Sequence, residues 1–154
     1  MGTFEITRSV HADPATLWRV VTDWAGYADW MPLTRMQLDD GPTRVGYGFA
    51  GVSGVGPLSF ADSMVVTHWQ PPTGAAAGEF RVRKTGRVLA GWAAVTVAPG
   101  PHGASLRWVE DITVRPRPVG RLLAPVADRV NRAMFGRAVD AMVARAEKEA
   151  DGER

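Results

Sequence analysis

Apolar and polar residues alternate from the start of the chain. Phe4, Ile6 and Val10 share one parity, and Glu5, Thr7 and Ser9 share the other. A period of two predicts a half-buried strand over residues 3–11. Asp13-Pro14 then supplies an N-cap acceptor and a proline at the first helical position, where no amide hydrogen is needed. Leu17, Val20, Val21 and Trp24 fall at helical spacing, so residues 14–23 read as a short amphipathic helix. Gly26 interrupts that pattern, and a second short helix over 26–31 ends at Met31-Pro32.

Beyond Pro32 the texture changes. Segments 34–40, 44–52, 60–70, 79–86, 87–98 and 104–115 carry strand character. They are separated by turn signals: Asp40-Gly41-Pro42, Gly54-Val55-Gly56-Pro57, Pro71-Pro72-Thr73-Gly74 and Pro99-Gly100-Pro101-His102-Gly103. Strands joined by short turns favour an antiparallel meander, because a parallel crossover needs a dozen or more residues. The glycine-rich stretch Gly46–Gly56 lacks the Gly-Lys-Ser/Thr ending of a phosphate loop and reads as bent strands and a flexible lip.

From Val119 the period becomes helical. Val119, Leu122, Leu123, Val126, Val130, Met134, Ala138, Ala141 and Met142 define an apolar stripe, and the helix is predicted over 119–149. Pro125 lacks a backbone donor, which predicts a kink or restart near Leu122–Pro125. Residues 151–154 read as a frayed tail. The stripe must be buried against something, and the sheet is the only partner large enough. The expected class is α+β: a curved antiparallel sheet of about six or seven strands on one long helix, with two short helices after the first strand.

Bulk properties narrow this picture. The 154 residues suit one domain over 1–150. There is no cysteine, which excludes disulfides and thiolate metal sites and fits a reducing, cytoplasmic setting. No stretch approaches the roughly 20 apolar residues of a membrane span. The formal charge of +2 gives no reason to expect nucleic acid. Six arginines between positions 115 and 137 face one acid, Asp128, and read chiefly as a solvated helix face.

The stretch His11–Pro32, with its Ala12-Asp13-Pro14 opening and Trp30-Met31-Pro32 close, resembles the opening of the START-like, or SRPBCC, superfamily. Gly86–Gly91, Arg107-Trp108-Val109-Glu110-Asp111 and Gly120–Pro125 resemble its polyketide cyclase/dehydrase-like branch. The resemblance implies a helix-grip fold with a hydrophobic cavity between sheet and long helix. It does not imply one chemistry, since the superfamily holds carriers, receptors, cyclases, oxygenase subunits and toxins. An oxygenase would need iron ligands, and His11, His68 and His102 lack facial-triad spacing. No metal or cofactor is expected.

Strand parity nominates interior residues. In 104–115 the even face carries Leu106, Trp108, Ile112 and Val114, which places Glu110 among apolar neighbours. A buried carboxylate is a general acid or base, a polar ligand anchor, or half of a salt bridge, with Arg87 and Arg107 nearest along the strands. In 60–69, Asp62, Met64, Val66 and His68 share a face with Phe60, and if that face is inward Asp62 and His68 join Glu110, but at the two ends of the strand each reads first as a solvated end residue. Lys84 shares parity with Phe80 and Val82 and is expected to snorkel outward at its strand end. A cavity of at least a few hundred Å³ is expected. Its lining is drawn from Tyr27, Trp30, Tyr47, Phe49, Met64, Trp108, Leu123, Val130 and Met134. Three functions remain open: a holder or transporter of a lipid, polyketide or similar hydrophobic small molecule, a cyclase or dehydratase using Glu110 for proton transfer, and a toxin-like or regulatory interaction module. A homodimer is compatible with each.

Overall fold

Local sequence signals seat each element of the computed structural model, which describes residues 2–154. β1 (Gly2–Val10) buries Phe4, Ile6 and Val10 on one face. Asp13 caps α1 (Pro14–Val21), its side chain accepting from the Thr16 amide at 2.6 Å. That bond also holds the Asp13 carboxyl below the usual range. The one-turn α2 (Tyr27–Trp30) follows.

Six further strands complete the sheet: β2 (Thr34–Leu38), β3 (Gly48–Ser53), β4 (Phe60–Gln70), β5 (Gly78–Lys84), β6 (Leu89–Gly100) and β7 (Gly103–Val114). A 3-10 turn (Gly56–Leu58) joins β3 to β4. All pairings are antiparallel, in the order β1-β7-β6-β5-β4-β3-β2. The meander therefore runs from β2 to β7, and β1 closes on β7. The expected α+β helix-grip architecture is present, with a curved seven-stranded sheet.

Two local expectations are corrected. The register of β4 shifts between Val66 and His68. The extra residue reverses the parity, so Trp69 packs on the core and His68 leaves the face held by Asp62, Met64 and Val66. Also, α3 (Arg117–Gly152) is one 36-residue helix that continues through Pro125 and into the expected tail.

The larger correction concerns the stripe of α3. Its C-terminal half is buried as expected, through Ala138, Val139, Met142 and Ala146. Its N-terminal half is not: Val119, Leu122, Leu123, Val126 and Val130 are exposed, Leu122 at 82%. Length explains this. A 36-residue helix is about 54 Å long, against about 40 Å for a 12-residue strand such as β7. The helix overhangs what it packs on, chiefly α1, β1 and β7.

Truncating Met142, which is 2% exposed, should leave a cavity and cost about 2–5 kcal/mol. Leu122→Ala on the same stripe should cost less than about 0.5 kcal/mol. Urea unfolding of the two variants checks the division of the helix, and equal costs would contradict it.

Candidate functional site

Three strands aim polar side chains at one point inside the sheet: Asp62 from β4, Lys84 from β5 and Glu110 from β7. Lys84 Nζ lies 2.7 Å from Asp62 Oδ2 and 3.2 Å from Glu110 Oε1. Glu110 Oε2 accepts from Trp108 Nε1 at 3.0 Å. Glu110 is 2% exposed and Lys84 5%. The even parity of β7 thus put Glu110 inside correctly. Its basic partner is Lys84, which does not snorkel, rather than Arg87 or Arg107. Arg107 faces out and makes a paired contact with Glu5 across β1, both bonds 3.0 Å.

Sequence explains how Lys84 reaches a strand it does not neighbour. β6 lies between β5 and β7, and the register sets Gly91 beside Lys84 and Ala93 beside Glu110. Small residues leave a path over β6 for the lysine stem. Gly91 has φ +130°, and a Cβ there would stand 1.8 Å from the Asp111 carbonyl oxygen. Only glycine fits so close an approach.

The electrostatics follow from burial and pairing. Burial pushes the Glu110 carboxyl above its ordinary 4.5; Lys84 and the Trp108 indole oppose that rise, and the Asp62 charge adds to it. Burial alone would pull Lys84 down, but Glu110 and Asp62 together hold it above 10.5. The signs are opposite in consequence for the charged forms. Glu110 favours folding when protonated, an advantage lost as pH rises from 4.5 through its folded value. Lys84 favours folding when charged, an advantage lost only as pH climbs from 10.5 through its folded value.

Above this polar floor lies a cavity of about 70 Å³. Of the expected lining, Tyr27, Phe49, Met64 and Trp108 are present. Tyr47 is buried elsewhere, its hydroxyl donating to the Asp39 carbonyl at 2.8 Å. Trp30, Val130 and Met134 border a separate surface hollow with Pro32 and Arg137, and Leu123 is exposed. Trp24, Met31, Met36 and Phe135 complete the wall, Phe135 being the single α3 contribution. Neither Lys84 nor Phe135 was singled out as lining from sequence. For Lys84 the signal existed in its parity with Phe80 and Val82.

The space is smaller than the few hundred Å³ expected because rings fill it. Trp24 stacks on Phe49 at 4.4 Å between centroids and meets Phe80 edge-on at 5.2 Å. A wider depression of about 700 Å³ lies on the outer face of β5, β6 and β7, bordered by Arg81, Arg83, Trp92 and Arg107. It is open to solvent and lacks the floor of buried polar groups that marks the interior site. Among the described residues, no cluster of His, Asp and Glu could hold a metal ion. No helix among them is long and apolar enough to cross a membrane.

A sheet gripping one long helix around an aromatic cavity defines the START-like class. Residues 1–147 match the family described as polyketide cyclase / dehydrase and lipid transport, and the chain belongs to that family. No curated protein matches the chain. Among solved structures, a protein from Thermus thermophilus is 10% identical with a TM-score of 0.75, covering 97% of this chain and 99% of that one. The Zhui aromatase/cyclase from Streptomyces sp. R1128 is 17% identical with a TM-score of 0.67, over 96% and 94% of the two chains. A START superfamily protein from Mycobacterium smegmatis is 17% identical with a TM-score of 0.65, over 93% and 97%. At these identities the likeness is one of fold.

Lys84→Met should leave two carboxylates without their ammonium and cost about 3–5 kcal/mol. Adding Glu110→Gln should restore much of that loss. Chemical denaturation at neutral pH measures both. Carbon-detected NMR of the Glu110 carboxyl should give a midpoint above 4.5 in the natural protein and higher still in Lys84→Met. A midpoint at or below 4.5 would show that pairing outweighs burial.

Proposed function

We propose that this protein binds a hydrophobic small molecule in the cavity over Asp62, Lys84 and Glu110. One observation carries the reading: an aromatic and methionine wall closes over a buried polar floor, the composition usual for ligand sites. Met31, Met36 and Met64 line it, and unbranched thioether chains can rearrange around occupants of different shape. About 70 Å³ is less than the roughly 150 Å³ that accommodates a benzene ring, so any ligand enters by displacing these side chains. The family description, which includes lipid transport, agrees with this reading.

The cyclase or dehydratase alternative assigns proton transfer to Glu110. Its raised pKa favours that role. Its geometry does not, because both oxygens are already held, by Lys84 and by Trp108. Glu110 serves better as a fixed anchor of the floor than as a base.

Adding p-xylene should shift the indole N–H resonances of Trp24 and Trp108, both on the cavity wall, in saturable fashion. Ala93→Leu puts bulk into the same wall and should weaken p-xylene binding at least tenfold. Native mass spectrometry of the purified protein should also show a copurifying apolar mass. No saturable indole shift in a folded sample would remove the binding reading.

A further inference from the structure

Each side-chain donor at this cavity already has a contact within the chain. Lys84 Nζ contacts Asp62 Oδ2, Glu110 Oε1 and, at 3.8 Å, Met64 Sδ. The Trp108 indole donates to Glu110, and the Trp24 indole to Thr43 Oγ1 at 3.0 Å. Tyr27 gives its hydroxyl proton to the Val21 carbonyl at 2.6 Å. Thr34 Oγ1 donates to the Pro32 carbonyl, so the Thr34–Ser53 contact of 2.8 Å uses the Ser53 proton.

The acceptors are not balanced in the same way. Asp62 Oδ1 is covered from solvent and has no hydrogen-bond donor from the chain, while the residue that carries it lines the cavity. Buried polar atoms are nearly always paired, and an orphaned carboxylate oxygen is costly. A site whose side-chain donors are engaged, and whose buried carboxylate oxygen has none, selects by hydrogen-bond sense. It rewards a ligand that donates and penalises one that can only accept, because an acceptor would face the carboxylate with no hydrogen between them.

Building on the binding reading, we propose that the natural ligand is an apolar molecule ending in a hydroxyl group, a phenol or an alcohol, whose proton is donated to Asp62 Oδ1. Ionised carboxylic acids, free fatty acids included, are excluded by the same oxygen. Lys84 offers them little, since two of its three N–H groups are committed to Asp62 and Glu110 and the third rests on the Met64 thioether.

Three ring compounds of similar shape separate the possibilities. p-Xylene carries no polar group, p-cresol carries a donor, and 4-methylanisole carries the same oxygen with its proton replaced by a methyl. The anion p-toluate is the fourth probe. Titrations are followed by the Trp24 and Trp108 indole resonances. p-Cresol should bind at least tenfold tighter than 4-methylanisole, and p-toluate should bind weakest. In Asp62→Asn the amide can turn its carbonyl to Lys84 and its NH2 to the cavity, so the preference for p-cresol should vanish or reverse. Circular dichroism confirms that the variant is folded. If it is not, Asp62→Ser, which is shorter, should also abolish the preference. Equal binding of p-cresol and 4-methylanisole to the natural protein overturns the donor rule and leaves the binding reading standing. Binding of none of the four compounds overturns both.

Discussion

One ammonium group organises the interior. Lys84 sits where two carboxylates from different strands converge, and burial alone penalises the charged form of Glu110. The bridge ties β4 to β7 across two intervening strands. The register sets the small residues Gly91 and Ala93 of β6 beside Lys84 and Glu110. A side chain at position 91 would collide with the Asp111 backbone, so glycine is required where β6 runs beside Lys84. Buried ion pairs are weak evidence of net stability. Their effect here is positional: they set where the polar floor lies and which of its atoms stay available.

The aromatic wall has a separate origin. Trp18, Trp24, Trp69 and Phe80 form a continuous ring cluster that joins α1, the bend after it, β4 and β5. That cluster is core, and it occupies much of the space that the fold alone would leave open. The remaining cavity is what the rings do not fill, so its size depends on their rotamers and on the methionines beside them. The aromatic residues thus serve as core and as wall together, with no single assignment separating the two.

The architecture was legible because the signals for it are local. Asp13-Pro14 caps the helix where expected, and the inward parity of Leu106, Trp108, Glu110 and Ile112 holds along β7. What failed depended on distance. The stripe of α3 has the correct period from Val119 to Val130, yet periodicity names a face without showing that a partner reaches it. Lys84 reads as a snorkelling strand-end residue because its partners lie on other strands, far from it along the chain. The parity that groups His68 with Asp62, Met64 and Val66 breaks because a single bulged residue in β4 leaves no mark in an alternating pattern. The expected volume overshot because ring stacking between Trp24 and Phe49 is a three-dimensional fact.

The two interior carboxylates differ in a way that bears on chemistry. Both face the same ammonium, but Glu110 has a second donor on its other oxygen and Asp62 has none. A group that moves protons needs an unengaged lone pair within reach of the substrate. A group that anchors a floor needs the reverse, full engagement and deep burial. On that criterion Glu110 is the anchor, and Asp62 Oδ1 is the interior carboxylate oxygen left without a donor from the chain. Asp62 contacts Lys84 through Oδ2, and no other basic group lines the cavity to reach its Oδ1. On the proposed reading, the discrimination the site exerts comes from that oxygen atom, and it is a discrimination of hydrogen-bond direction rather than of shape, which the surrounding methionines leave permissive.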